Sequence, residues 1–316
     1  MRLASSPFWP RVLASALASL FSISSAALVS SVLLWPAPVQ AQPSDLVGAR
    51  ALGMGGAFTA VADDSTATWW NPAGLASGAY FSGMLEYAHP EGGEGDGLRG
   101  ISVAFPALGL SYYRFPRSSS TGSTGSNPAS RQDEGSLSVF GATVGQSFGR
   151  HLVVGSTVKL QHADDDYETG FDIGAMAAFG PAKLGLMVRN VTEPQFGEGL
   201  LAFTLERQAR AGGSFTGTTR GVIGSVTVSF DADLMDIRTL AGEERRLAVG
   251  GEVWLRGKYL GFRGGASRSA IGLERTAYSG GASVALRKAL FVDTFLTAGG
   301  TDESRDGWGL AFRVTF

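Results

Sequence analysis

The chain has 316 residues, a formal net charge of −2 and only 17% Asp, Glu, Lys and Arg, against about 25% in an average soluble domain. No basic run points to nucleic acid. Cysteine is absent, which excludes disulfides, thiolate chemistry, Cys-based metal centres and a lipid-anchored cysteine.

Residues 1–41 stand apart from the rest. Arg2 and Arg11 precede a run rich in Ala, Leu, Ser and Val, and the first acidic residue is Asp45. "PVQAQPSD" places small residues at Val39 and Ala41, three and one places before a cut after Ala41. This is the pattern of a cleaved secretory signal peptide, although it is longer than the usual ~15–30 residues. An uncleaved N-terminal anchor is the alternative reading. After Ala41 no run approaches the ~18 apolar residues of a spanning helix, so the exported chain is soluble, peripheral or a β-barrel.

Segment 42–78 contains "GMGGAF", Gly53 to Phe58. A dinucleotide fingerprint would need a third glycine where Phe58 stands, and a phosphate loop would need a following Lys that is missing. Gly53, Gly55 and Gly56 instead permit positive φ and close backbone approach. Asn71-Pro72 reads as a turn, with Ala73 and Gly74 completing it, and Trp69-Trp70 can wedge against a wall. The Asp63-Asp64 pair suits capping within the segment, with acid–base work as the alternative.

From residue 79 onward, apolar and polar residues alternate with period 2, the mark of strands with two unlike faces. The spacing predicts fourteen strands: 79–88, 98–105, 107–115, 135–146, 151–162, 171–180, 182–190, 203–213, 221–230, 246–256, 259–266, 276–287, 289–298 and 308–316. Long connections alternate with short ones. That regularity is expected of a membrane barrel with long outer loops and short periplasmic turns, whereas a soluble sandwich has no reason for it. The polar, low-complexity loop 116–134 reads as mobile. Loop 163–170 holds Asp164, Asp165, Asp166 and Glu168; its spacing matches no calcium-loop motif, and it reads as a solvated acidic loop. No metal or cofactor is expected.

The final strand, "WGLAFRVTF", ends on Phe316. An aromatic in that register resembles the C-terminal assembly signal of bacterial outer-membrane barrels, which implies barrel-assembly machinery as a partner. With the apolar face outward, Met176, Met187, Trp254, Phe291 and Phe295 point inward, together with Lys159, Asp172, Arg189, Glu252, Asp293 and Arg313. This mixture suits either a greasy path with charged anchors or packing against an internal segment. The three histidines, His89, His151 and His162, fall at loop boundaries and in no catalytic motif, so no enzyme is expected.

"ARALGMGGAFTAVADDSTATWWNPAGLASG" resembles the N-terminal signature of the FadL/OmpP1-type outer-membrane transport family, and within it the PorV/PorQ-like branch. The match runs from Ala49 to Ala76; beyond it the likeness is one of style. The resemblance implies a fourteen-stranded transmembrane antiparallel β-barrel at 79–316, in the outer membrane of a Gram-negative-type bacterium and in contact with its lipid. It implies that 42–78 forms a hatch inside the lumen, with Gly53, Gly55, Gly56, Asn71, Pro72, Ala73 and Gly74 shaping it. The implied function is passive transport of hydrophobic small molecules such as long-chain fatty acids, with Met176, Met187, Trp254, Phe291 and Phe295 as candidate ligand contacts. The PorV-like alternative is a barrel that holds or shuttles secreted proteins, as in type IX secretion, or a structural role. The compact length leans toward that branch.

Overall fold

Period-2 alternation becomes strand wherever one face can meet lipid and the other the lumen. The computed structural model describes residues 46–90, 97–116, 136–197, 202–239, 242–272, 275–299 and 306–316. The signal segment 1–41, residues 42–45 and most of the loop 116–134 lie outside the described residues. The strands are β1 (Ser82–Pro90), β2 (Leu98–Phe105), β3 (Leu108–Pro116), β4 (Ser136–Phe148), β5 (Leu152–Ala163), β6 (Asp166–Phe179) and β7 (Ala182–Arg189). The short pair β8 (Gln195–Phe196) and β9 (Phe203–Thr204) follows, then β10 (Gln208–Thr218) and β11 (Ile223–Asp233). A second short pair, β12 (Ile237–Thr239) and β13 (Gly242–Glu244), precedes β14 (Arg246–Leu255), β15 (Leu260–Ser269), β16 (Thr276–Arg287), β17 (Leu290–Gly299) and β18 (Gly307–Thr315).

Fourteen of these strands form one closed antiparallel barrel, each beside its barrel neighbour in sequence, while β8–β9 and β12–β13 are two-stranded ribbons in its connections. Closure is what lipid demands, because every backbone N–H and C=O needs a partner there. The seam pairs β1 with β18 from Ser82 opposite Thr315 to Pro90 opposite Gly307. Phe81 and Phe316 extend it by exchanging backbone hydrogen bonds of 2.9 and 3.1 Å, and their rings stack at 5.1 Å. Aromatic pairs are worth about 0.5–1.5 kcal/mol, so Phe316→Ala should lower the urea midpoint of the folded barrel in micelles. An unchanged midpoint would confine the aromatic's role to assembly.

Burial is inverted relative to a soluble protein. Leu85, Leu110, Leu160, Phe230, Val249 and Leu296 are exposed on the outer face, Leu296 at 69%. Glu86, Lys159, Asp172, Glu252, Asp293 and Arg313 are buried on the inner face. Exposed aromatics collect near both ends: Tyr80, Phe105, Phe148, Phe179, Phe215 and Tyr259 toward the short turns, and Tyr112, Tyr278 and Trp308 toward the long loops. Aromatic girdles flanking an apolar band mark the two membrane–water interfaces.

Two expectations need correction. The acidic stretch 163–170 is not a long loop: β5 and β6 stay paired until Ala163 opposite Asp166, around a turn in which Asp164 takes φ 53°, a conformation Asp tolerates. Beyond the membrane neither face meets lipid, so alternation fades although pairing continues. Nor is 203–213 one strand. Phe203 and Thr204 belong to the ribbon, and the barrel strand runs from Gln208 to Thr218.

Residues 46–78 lie inside the barrel. They comprise helix α1 (Ala49–Gly53), helix α2 (Ala67–Trp70) and a 3-10 turn, Pro72–Ser77. The first packs on β15–β18 and the last on β2–β6 across the lumen.

Candidate functional site

The inner segment seats itself where the wall lacks side chains. A Cβ on Gly155 would lie 2.4 Å from the Pro72 carbonyl carbon, and one on Gly174 would lie 2.1 Å from Asn71 Oδ1. On Gly185 it would meet Thr59 O at 2.5 Å, and on Gly250 and Gly265 it would meet the Met54 backbone at 2.2 and 2.3 Å. Several of these glycines face one another across strands: Gly145 with Gly155, Gly155 with Gly174, Gly185 with Gly212, and Gly250 with Gly265. The rows form a bare track on which a folded backbone rests. Gly55, at φ 69°, completes the fit from the inner side, since a Cβ there would sit 2.8 Å from Ala266 N.

Polar anchors then fix the segment. Asn71 Nδ2 donates to Thr59 O at 2.8 Å and to the wall carbonyl of Ala175 at 3.3 Å, while its Oδ1 accepts from Ala73 N at 3.2 Å. Asp231 Oδ2 accepts from the backbone N–H groups of Phe58 and Thr59 at 3.0 and 2.9 Å. Arg246 donates to Gly55 O at 2.8 Å, and Glu86 accepts from Gly48 N at 2.7 Å.

A ladder of charge crosses from the segment into the wall. Arg50 donates to Asp63 and, from Nε and Nη2, to Glu252 at 2.8 Å each. Glu252 also accepts from Arg263 Nε at 3.0 Å, Arg263 reaches Asp293 at 3.2 Å, and Asp293 accepts from Arg313 Nε at 2.7 Å. Burial disfavours the Arg50 charge, but Asp63 and Glu252 outweigh it and hold the guanidinium well above its ordinary range. Asp63 and Asp64 both bind Arg50, and Asp64 Oδ1 accepts from Thr66 N at 3.0 Å.

Toward the long-loop end the filling turns apolar. Trp69 lies 5.0 Å from the Phe115 ring and 5.7 Å from Tyr113. Lys159 and Arg189 stand over it at 4.6 and 4.5 Å. Phe196 and Phe203 of the β8–β9 ribbon stack at 5.0 Å and are buried in the same cluster as Trp69, Phe115, Leu137 and Leu205. An outer connection thus folds back and packs its aromatic rings onto the inner segment.

The five aromatic and Met residues expected inside are all buried, in two groups. Met176, Trp254 and Phe291 lie near the short-turn end, where Trp254 and Phe291 meet edge-on at 5.8 Å and Arg313 covers Phe291 at 4.5 Å. Met187 and Phe295 lie nearer mid-barrel; a Cβ on Gly309 would occupy the Phe295 ring. Gly53, Gly55, Gly56, Asn71, Pro72, Ala73 and Gly74 are buried in the inner segment. Phe203 and Leu205 alternate as a lipid-facing strand does, which assigns them to strand 203–213; Phe196 lies in the long connection before it, where an apolar ring is costly unless it is buried. Among the described residues no His, Asp and Glu cluster is arranged to hold a metal ion.

An apolar outer band, aromatic girdles and a lumen occupied by the chain's own N-terminal segment define an outer-membrane-type β-barrel. No protein-family model matches the sequence, and no curated protein matches it. Solved structures match its fold. A "CymD monoaromatic hydrocarbon channel" aligns at TM-score 0.60 with 14% identity, over 86% of this chain and 98% of that one. The Ralstonia pickettii toluene transporter TbuX aligns at 0.54 with 13% identity, over 88% and 98%. A Pseudomonas aeruginosa FadL homologue aligns at 0.53 with 11% identity, over 89% and 100%.

Proposed function

We propose that this chain is a passive, non-enzymatic outer-membrane transporter of hydrophobic small molecules, of long-chain fatty acid-like chemistry, with residues 46–78 serving as its hatch. The observation that carries this reading is the aromatic cluster at the long-loop end, built from Trp69, Tyr113, Phe115, Phe196 and Phe203, with further apolar side chains deeper in the lumen beside the charged ladder. These rings are buried against one another, so an apolar solute meets them as the cluster opens and gains about 25 cal/mol per Å² it buries there. A water-filled porin would keep a polar mouth. The fold shared with a barrel described as a monoaromatic hydrocarbon channel and one described as a toluene transporter supports hydrophobic small molecules as the solute class. Met187 and Phe295, then Met176, Trp254 and Phe291, are the proposed contacts of a solute moving toward the short-turn end. The closed packing of the segment against wall glycines requires the hatch to shift for passage.

Phe203→Asp tests this reading. A carboxylate in the apolar mouth should lower uptake of a radiolabelled fatty acid or aromatic hydrocarbon by proteoliposomes about tenfold or more, with the heat-modifiable folded band unchanged. Native mass spectrometry of the detergent-purified barrel should find an apolar compound bound. Unchanged uptake with Phe203→Asp would remove the mouth from the route. An empty barrel that retains a secreted protein would instead favour the PorV-like holding role.

A further inference from the structure

The two ends of the barrel differ in charge. The long-loop end is mixed: exposed Asp164, Asp165, Asp166, Glu193, Asp236 and Glu243 stand among exposed Arg99, Arg114, Arg207, Arg238 and Arg268. The short-turn rim carries exposed Arg150, Arg220, Arg256, Lys258, Arg287 and Lys288 and, among the described residues, no exposed Asp or Glu. Glu252 and Asp293, the nearest acids along these strands, are buried on the inner face.

The basic residues adjoin apolar or aromatic residues at the edge of the lipid-facing band. Arg150 comes two positions after Phe148, Arg256 follows Leu255, Lys258 precedes Tyr259, and Arg287 follows Leu286; the four apolar partners are lipid-facing or half-buried. An aromatic girdle marks the headgroup level, so these cations stand beside lipid phosphates rather than free in water.

At one place the collar is shaped into a depression. Turns 219–222 and 256–259 border an open depression lined by Arg220, Val222, Leu255, Arg256, Tyr259 and Leu260. A bulge at Ile223/Ser225 interrupts the β11–β14 register there, and bulges bend and splay paired strands. Arg256 Nη1 reaches the Arg220 carbonyl at 3.4 Å, and Arg256 N donates to Val222 O at 2.8 Å, which ties the two arginine-bearing turns together at the depression. Gly257, at φ 83°, leaves room for the Tyr259 ring; a Cβ there would sit 2.7 Å from it.

We infer that this depression binds an anionic glycerophospholipid of the adjoining leaflet, with the phosphate held by Arg220 and Arg256 and an acyl chain along Leu255 and Leu260. Guanidinium groups match phosphate oxygens in geometry as well as charge. The lower lining is continuous with the lipid-facing band, which favours a lipid over a soluble acidic protein: such a partner would have to enter hydrocarbon to reach it. The inference rests on the transmembrane barrel and is independent of the solute transported.

The test uses the full chain in nanodiscs of equal parts phosphatidylglycerol and phosphatidylcholine, with native mass spectrometry of the lipids that stay bound on release. Phosphatidylglycerol should be enriched. Each interfacial basic residue contributes about 1 kcal/mol toward anionic lipid, so R220Q with R256Q should reduce the enrichment about thirty-fold, equivalent to about 2 kcal/mol. Equal retention of both lipids by the unaltered protein, or enrichment that survives the double substitution, would overturn the inference. A photoreactive phosphatidylglycerol probes the unaltered protein without any substitution. Label on 219–222 and 255–260 supports the site, and label spread evenly around the barrel refutes it.

Discussion

Valine at both Gly155 and Gly174 is expected to turn a closed barrel into a conducting one. A Cβ at these positions would fall 2.4 and 2.1 Å from atoms of Pro72 and Asn71, well inside any tolerated contact, and valine adds two methyl groups to each. Both positions press on the same turn, Asn71 to Ala73, so the segment cannot evade one by sliding toward the other. Overpacking costs about 1–3 kcal/mol at a single site, and two on one turn compound. The outer face is untouched: Leu160, Ile173 and their neighbours keep their lipid contacts, and the β5–β6 pairing is unaltered in register. The variant should therefore insert and fold while its inner segment is displaced. In planar bilayers it should show a persistent conductance that the unaltered barrel lacks. Loss of the folded barrel itself would show that residues 46–78 are part of the wall's folding unit and not a separable closure. Gly55→Val, which meets Ala266 N at 2.8 Å from a positive-φ position, should act in the same direction from the opposite wall.

Removal of Glu252 should free the front of the segment. Its two oxygens accept from Arg50 at 2.8 Å each, and Oε1 also accepts from Arg263 at 3.0 Å. In Glu252→Ala two buried guanidinium groups lose a shared counter-charge. Breaking one partner of a buried pair costs about 3–5 kcal/mol; Asp63 and Asp293 still face the two arginines, which places the expected cost near the lower bound, about 3 kcal/mol. Amide hydrogen exchange of α1 should accelerate by about two orders of magnitude, with barrel strands unaffected. Arg50→Met added to Glu252→Ala should recover part of the protection, because it removes the orphaned charge that the first substitution created. Strictly additive effects would mean that the pair does not hold the segment, leaving Asp231 and Asn71 as its anchors.

The barrel was legible because lipid enforces a simple rule on every strand. Leu247, Val249 and Val253 alternate with Ala248, Gly250 and Glu252, and only one register sends the apolar set outward. Fourteen strands follow from counting such runs, and the observed barrel has fourteen. Where the rule lapses, so did the reading. At Asp164–Glu168 the hairpin has left the membrane, and at Phe203–Leu205 apolar residues alternate because they face a plug.

What the sequence alone determined is therefore the wall: its period, its strand number and which residues point in. The partnerships inside it were decided by tertiary structure. Arg50 and Glu252 are 202 residues apart, and nothing in their local sequence links them. Gly155 and Gly265 look alike as strand glycines, yet one receives Pro72 and the other Met54. Two inward residues meet across a lumen only once the barrel's circumference and the path of the segment within it are set. Those are properties of closure, to which a local alternation of side chains is blind.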